Sequence, residues 1–253
     1  MTTLLDLTPS APVNLRDIAG VAVGSAAVAP GLAWRSDDLS VIDTATADAL
    51  VAAGLVAVID LRTATEVALT GRGPLADTPV SYHHLPLMTS VAEGIRPGGA
   101  GMDNHTMGLF YAQVVEQAAP QLATALTVIA LAPGRTAFHC TAGRDRTGVL
   151  AALLLLSLGA SPAAVVAEYS LSQPNMAAVE QRMAPVMGPL MTQLGFDLAA
   201  MPAMIDTGTP MASTMETMLA TLTERQGDPL APVRAAGLAA ETEQRLRVRA
   251  GVG

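Results

Sequence analysis

Short apolar runs alternate with stretches in which apolar residues recur at helical spacing over the first two-thirds of the chain. Leu55 to Leu61 is a compact run bounded by Gly54 and Arg62, the pattern of a buried central strand. Gly134-Arg135-Thr136-Ala137-Phe138 reads as a turn feeding a second short buried strand. Val21-Ala22-Val23 and Leu32-Ala33-Trp34 predict short edge strands, and Tyr82 to Leu87 predicts a further one. Asp43 to Gly54 predicts a helix, with Asp43 or Thr44 as its cap and Gly54 as its stop. A longer helix is expected from about His105 to Ala130, broken or kinked at Pro120. Val149 to Leu156 is apolar all round, which predicts a buried helix. Strands alternating with helices predict an α/β fold of three layers, a central sheet flanked by helices.

Two regions depart from that rhythm. Thr89 to Asn104 is rich in Gly and Pro and reads as an exposed loop. Nine of the 13 methionines fall between Met176 and Met218, across two expected helices, Met176 to Ala200 and Pro210 to Arg225. Pro202 and Gly208-Thr209-Pro210 separate them. Methionine side chains repack against varied surfaces, and residues 176–225 are read from composition as an accessory core. Beyond Gly227 a final packing helix and a solvated, arginine-rich end are expected. No internal repeat is evident.

Composition narrows the class. A chain of 253 residues suits one domain and builds a sufficient core without disulfide or metal. One cysteine excludes an internal disulfide framework. The net charge of −8 argues against non-specific binding to nucleic acid or an anionic membrane, so any affinity for a phosphorylated ligand must come from a local basic site. All 14 basic residues are arginine, and alanine is abundant, which hints at a GC-rich genome. Met1 to Asp6 lacks the basic and apolar regions of a standard signal peptide, and Val149 to Leu158 is too short to span a bilayer. The expectation is a soluble protein without stable membrane insertion.

The chemistry concentrates in His139-Cys140-Thr141-Ala142-Gly143-Arg144-Asp145-Arg146-Thr147-Gly148. Cys140 and Arg146 stand in a C-x5-R spacing between an expected strand and an expected helix N-terminus, where free N–H groups and the helix dipole favour an anion. A thiol there, beside cationic groups, is driven toward the nucleophilic thiolate. Arg146 offers a planar fork that grips two phosphate oxygens and stays with them through the transition state. Gly143 lets successive N–H groups turn inward as an anion nest, formed with Thr141, Ala142, Arg144 and Asp145. Thr147 is expected to donate its hydroxyl to the sulfur, and His139 to brace the loop by hydrogen bonds. The competing readings are a small buried cysteine without chemistry and a silent module that binds phosphate.

The whole loop resembles the signature of cysteine-dependent protein-tyrosine phosphatases, in the form carried by the bacterial tyrosine phosphatase B type. Asn14-Leu15-Arg16-Asp17, Trp34-Arg35-Ser36 with Leu39, Ile59-Asp60-Leu61-Arg62 with Glu66, and Glu168-Tyr169 resemble further landmarks of that group. The resemblance implies the phosphatase three-layer fold, with residues 176–225 as a mobile two-helix lid rather than an accessory core, and a metal-free hydrolysis of phosphotyrosine through a phosphocysteine. Phosphoserine and phosphothreonine are possible further substrates, phosphorylated proteins are the partners, and inorganic phosphate is the product. It leaves a phosphoinositide phosphatase as the alternative, prompted by Arg144 where the group often has lysine. Relatives are sometimes exported without a cleavable signal, so cytoplasm and export both stay open.

A general acid must protonate the leaving oxygen, and no W-P-D tripeptide supplies it. Asp145 ranks first, from its place beside Arg146, although its arginine neighbours favour the charged carboxylate. Asp60, at the end of an expected central strand, is second; Asp103, in the flexible loop, is third. Arg62 is expected to pair with Glu66 or cap its strand, and Arg35 to pair with Asp37 or Asp38, rather than touch substrate. His83-His84 has no third ligand at metal spacing, so no metal and no cofactor are expected.

Overall fold

The strands β1 (Arg16–Asp17), β4 (Ala33–Ser36), β5 (Leu55–Asp60), β6 (Ser81–His84) and β7 (Arg135–His139) form a mixed sheet in the order β1–β4–β7–β5–β6, and β2 (Ala22–Val23) pairs with β3 (Ala26–Ala27) in a separate ribbon. The computed structural model describes residues 8–91, 103–193 and 210–253. Only β1 runs antiparallel, against β4; the remaining sheet pairs are parallel. Parallel strands need both faces covered, and the side chains of β7 alternate between two cores. Phe138, with Ile59 of β5, lies in the larger cluster, whereas Ala137, with Val58, lies in a smaller cluster around Leu39, Leu50 and Leu75. That is the three-layer arrangement expected of the chain.

Helix α1 (Thr44–Ala52) is capped by Asp43, whose carboxylate accepts from Thr46 N. A helix that the hydrophobic pattern does not reveal follows β5: α2 (Ala64–Thr70) starts with a reciprocal capping box between Thr63 and Glu66. The expected long helix divides, as Pro120 requires, into α3 (Asn104–Gln117) and α4 (Ala119–Leu131), which meet at 78°. Helix α5 (Asp145–Leu158) is buried on all sides and ends at Gly159 in the left-handed conformation. Helix α6 (Pro162–Ser170) follows, capped by Ser161. Among the described residues no single helix is long and apolar enough to cross a membrane.

Several expectations need correction. Leu32-Ala33-Trp34 is no edge strand: β4 lies between β1 and β7 and its Ala33 and Ser36 are fully buried. Leu85 to Leu87 leaves the sheet after β6. The expected two-helix segment over 176–225 divides. Helix α8 (Ala212–Gln226) places Met215 and Met218 in the main core, packed on α3 and α6. Helix α7 (Met176–Gln193) instead builds a small cluster of Val179, Met183 and Val186 on Val41, with Ala142 of the Cys140 loop at its margin. Residues 194–200, Pro202 and Gly208-Thr209 lie outside the described residues, as does most of the expected loop from Thr89 to Asn104. The arginine-rich end is only partly solvated: Arg245 is exposed, whereas Arg247 and Arg249 are half-buried. Helices α9 (Ala231–Ala235) and α10 (Ala240–Arg249) pack on α4, and Arg249 donates to the carbonyls of Ile129 and Gly134 while Arg247 donates to Ser157 O.

Candidate active site

Parallel pairing puts the C-terminal residues Ser36, His139, Asp60 and His84 in one row across the sheet. The segments that leave this edge carry Asp37 and Asp38, Cys140, and Leu61 and Arg62. Ligands bind outside the carboxyl ends of strands in open α/β sheets, and the C-x5-R loop leaves the middle strand there, running from Cys140 into the first turn of α5. Cys140 is 1% exposed. Gly143 takes φ +66°, and a Cβ there would lie 2.5 Å from Asp37 N and 2.6 Å from the Ser36 carbonyl carbon, so only glycine fits the loop against β4.

The loop's carbonyls are held from behind. Asp38 N donates to Thr141 O at 3.1 Å. The Asn14 amide donates to Ala142 O and Gly143 O, and Arg35 Nη2 donates to Gly143 O at 2.9 Å. Arg35 is fixed in turn by Glu168, which also holds Arg16. With the carbonyls tied outward, the N–H groups of Thr141 to Arg146 find no protein acceptor among the described residues. Such a concave run of free donors at a helix N-terminus is an anion nest. His139 braces the base: its Nδ1 lies 3.3 Å from both Leu39 N and Cys140 O, and its Nε2 lies 3.7 Å from Asp60.

Arg146 is buried and clamped by Glu66, Nη1 to Oε2 at 2.6 Å and Nη2 to Oε1 at 2.8 Å. Glu66 also accepts from the Thr141 hydroxyl and from Thr63 N. Burial pushes Glu66 up, but Arg146 and these donors prevail and hold it at about 2. The clamp takes the terminal nitrogens of the guanidinium and leaves Nε–H without a protein acceptor among the described residues. Thr147 Oγ1 is buried in the first turn of α5 and likewise makes no hydrogen bond there; the expected bond to the Cys140 sulfur is not formed.

The three candidate acids sit in different settings. Asp145, the first residue of α5, has a side chain 38% exposed, 3.5 Å from Arg144 Nε, and accepts a hydrogen bond from the Tyr111 hydroxyl. Asp60 is fully buried: Arg62 grips it at 2.6 to 3.2 Å, and Tyr82 donates to it at 2.9 Å. Burial raises Asp60, but His139 and Arg62 outweigh that and hold it well below the usual carboxylate range. Asp103 caps α3 by accepting from Thr106 N.

Arg62 corrects its expected partner. It pairs with Asp60 and with Asp38, at 2.6 and 2.9 Å, and not with Glu66. Arg35 pairs with Glu168 rather than Asp37 or Asp38; Asp37 instead takes Arg182 of α7 at 2.7 Å. Both arginines lie behind the loop. Arg144 donates to the Tyr169 hydroxyl at 3.3 Å and to Asn104 Oδ1 at 3.4 Å. His84 Nε2–H donates to Arg62 O, which gives it a structural occupation. Asn14, Glu168 and Tyr169 stand out in the sequence only as landmarks and Glu66 only as an expected partner of Arg62, while no sequence signal marks Tyr111 or Arg182. The Thr-x-x-Glu spacing of the capping box was the one local signal that Glu66 has a fixed place.

A model described as the tyrosine phosphatase family matches residues 8–250. The chain is 34% identical over 139 residues to a tyrosine-protein phosphatase of Nostoc commune, covering 54% of this chain and 47% of that one, so it spans about half the length of that relative. It is 30% identical over 219 residues to the triple specificity protein phosphatase PtpB of Mycobacterium tuberculosis, covering 76% of each. A crystal structure of P. aeruginosa TpbA in complex with pTyr aligns loosely, at 15% identity and a TM-score of 0.31 over 74% of this chain and 85% of that one. The family match runs from the first described segment into the last, through every strand and helix around the loop, and the chain therefore belongs to the tyrosine phosphatase family.

Proposed function

We propose that the chain hydrolyses phosphotyrosine through a phosphocysteine intermediate, as a phosphatase of the bacterial tyrosine phosphatase B type. The observation that carries the reading is the loop with its carbonyls tied back and its N–H groups free, around Cys140 and beside a clamped Arg146. In the first step the Cys140 thiolate attacks phosphorus, an S–P bond forms and the P–O bond breaks. The leaving oxygen takes that bond's electron pair and a proton from Asp145. In the second step water attacks phosphorus and gives a proton to Asp145, and the S–P electrons return to sulfur as inorganic phosphate departs. The loop N–H groups and Arg146 hold the equatorial oxygens in both steps.

Asp145 takes the acid's role because its side chain reaches solvent at the mouth of the loop, whereas Asp60 is spent on Arg62 and Tyr82. The buried, unpartnered hydroxyl of Thr147 supports donation to the sulfur as it leaves. We read residues 1–253 as one phosphatase domain and α7, against Ala142, as its lid. Arg144 is already engaged by Tyr169 and Asn104, which favours phosphotyrosine over a phosphoinositide head group.

The test is hydrolysis of p-nitrophenyl phosphate by the wild type and Cys140→Ser, with and without EDTA and vanadate. Expected are indifference to EDTA, inhibition by vanadate, and a loss of at least about 10³-fold in Cys140→Ser. Residual metal-dependent turnover by that variant would sink the mechanism. Because the Mycobacterium tuberculosis relative is named for triple specificity, phosphopeptides and phosphoinositides are assayed in parallel.

A further inference from the structure

We infer that Tyr111 and Tyr169 are positioning residues for Asp145: they form a one-way hydrogen-bond chain from Arg144 that pins one carboxyl oxygen and leaves the other to carry the transferred proton. The inference rests on the reading of Asp145 as the general acid. Tyr111 comes from the middle of α3 and Tyr169 from the end of α6, and each is 1% exposed. Their rings meet edge to face at 84°, and their hydroxyls are 3.0 Å apart. Neither tyrosine belongs to the loop, yet both hydroxyls end on it.

The direction of the chain follows from its two ends. Arg144 is a donor only, so Tyr169 accepts from its Nε at 3.3 Å. The Tyr111 hydroxyl donates to Asp145 Oδ1. The proton between the two phenols must then lie on Tyr169, which donates to Tyr111. Every hydroxyl gives one hydrogen bond and receives one, and the series runs from a permanent cation to a carboxyl oxygen. Successive hydrogen bonds of one sense polarise each other. Burial, reinforced by Asp145, raises Tyr111 well above its ordinary value, and burial raises Tyr169, so both remain protonated donors.

The chemical consequence concerns which oxygen does the work. A protonated carboxyl donates from one oxygen and accepts on the other. With Oδ1 already accepting from Tyr111, the acidic proton is confined to Oδ2. As the P–O bond breaks, Oδ2 delivers that proton to the leaving oxygen, and the charge left on Asp145 is met at Oδ1 by Tyr111. Packing keeps the chain in register. A Cβ at Gly148 would lie 2.8 Å from Tyr169 Cε2, so the glycine closing the signature lets α5 press on this ring.

The experiment compares kcat/KM for phenyl phosphate and p-nitrophenyl phosphate in the wild type, Tyr111→Phe, Tyr169→Phe, Asp145→Asn and Tyr111→Phe/Asp145→Asn. Vanadate affinity and far-UV circular dichroism check that each protein is folded. Tyr111→Phe is expected to slow phenyl phosphate by roughly 10-fold or more, as for loss of a charge-assisted hydrogen bond. It should barely slow p-nitrophenyl phosphate, whose leaving group needs little protonation. Tyr169→Phe should show the same pattern more weakly, and the double variant should be no slower than Asp145→Asn. Equal slowing of both substrates by Tyr111→Phe, or losses that multiply in the double variant, would make the tyrosines packing residues and overturn the inference while leaving Asp145 in place. If Asp145→Asn itself fails to discriminate the two substrates, the acid reading falls first and the inference falls with it.

Discussion

Arg146 owes its orientation to a carboxylate 80 residues away, and Glu66 is therefore the most exacting residue of the site after Cys140. Both partners are buried, so removing one leaves the other uncompensated. Glu66→Gln is expected to cost about 3–5 kcal/mol in urea unfolding at pH 7 and to lower kcat/KM, because Arg146 loses its clamp. The pH dependence has a definite sign. Glu66 is held at about 2 in the folded chain, against an ordinary 4.5. Its contribution is thus fully present above about pH 4.5 and is lost as pH falls toward about 2. Unfolding curves between pH 7 and pH 3 should steepen on the acid side for the wild type and flatten for Glu66→Gln. Matching acid limbs would show that the clamp contributes little. That Cys140 and Arg146 share one strand-to-helix loop was legible from their spacing, since such a loop is a local object. Their supporting residues were not, because nothing within ten positions of Arg146 points to Glu66.

At the scale of elements, the loop depends on the segments that brace it. β4 supplies the wall against Gly143, and the turn after α6 supplies Ser172 and, with Glu168, the brace for Arg16 and Asn14. Helix α7 is latched by Arg182 to the Asp37 carboxylate, the Asp38 carbonyl and Ser10, and packs at the margin on Ala142. Its interior Pro185 and Pro189 remove backbone donors and weaken it as an independent helix. If α7 governs access, Arg182→Ala should raise the rate of Cys140 alkylation severalfold with the circular dichroism spectrum unchanged. An unchanged alkylation rate would make α7 a static cover. Deleting all of 176–225 would be a poorer experiment, since α8 belongs to the main core and its loss would unfold the chain. The methionine-rich composition joined two helices that the packing separates, because methionine suits a lid and a core equally well.

For the molecule as a whole, the layers and the C-terminal helices decide how firmly the site is held. Leu246 of α10 is fully buried in the main core, far along the chain from the loop. Leu246→Ala should cost about 2–5 kcal/mol of stability, while p-nitrophenyl phosphate turnover at 25 °C stays near that of the wild type. A comparable loss of turnover in the still-folded variant would mean that α10 shapes the loop as well as the core. The sheet performs the assembly on the other side. By seating β7 between β4 and β5, it brings the residues after three separate strands to one edge.

What the sequence determined by itself was everything written in local order. The apolar runs of β5 and β7, the Asp43 cap, the break before Pro120 and the C-x5-R loop each depend on neighbours within a turn or a strand. The tertiary structure alone decided the long-range ion pairs. Arg62 keeps Asp60, two residues away, but the fold adds Asp38 to it and gives Arg35 a glutamate 133 residues distant. It also made β4 an interior strand and brought Arg247 and Arg249 of the tail onto main-chain carbonyls of other elements. The reason is physical: a buried charge must find a partner, and which partner is in reach depends on strand order and helix packing, which no local pattern encodes.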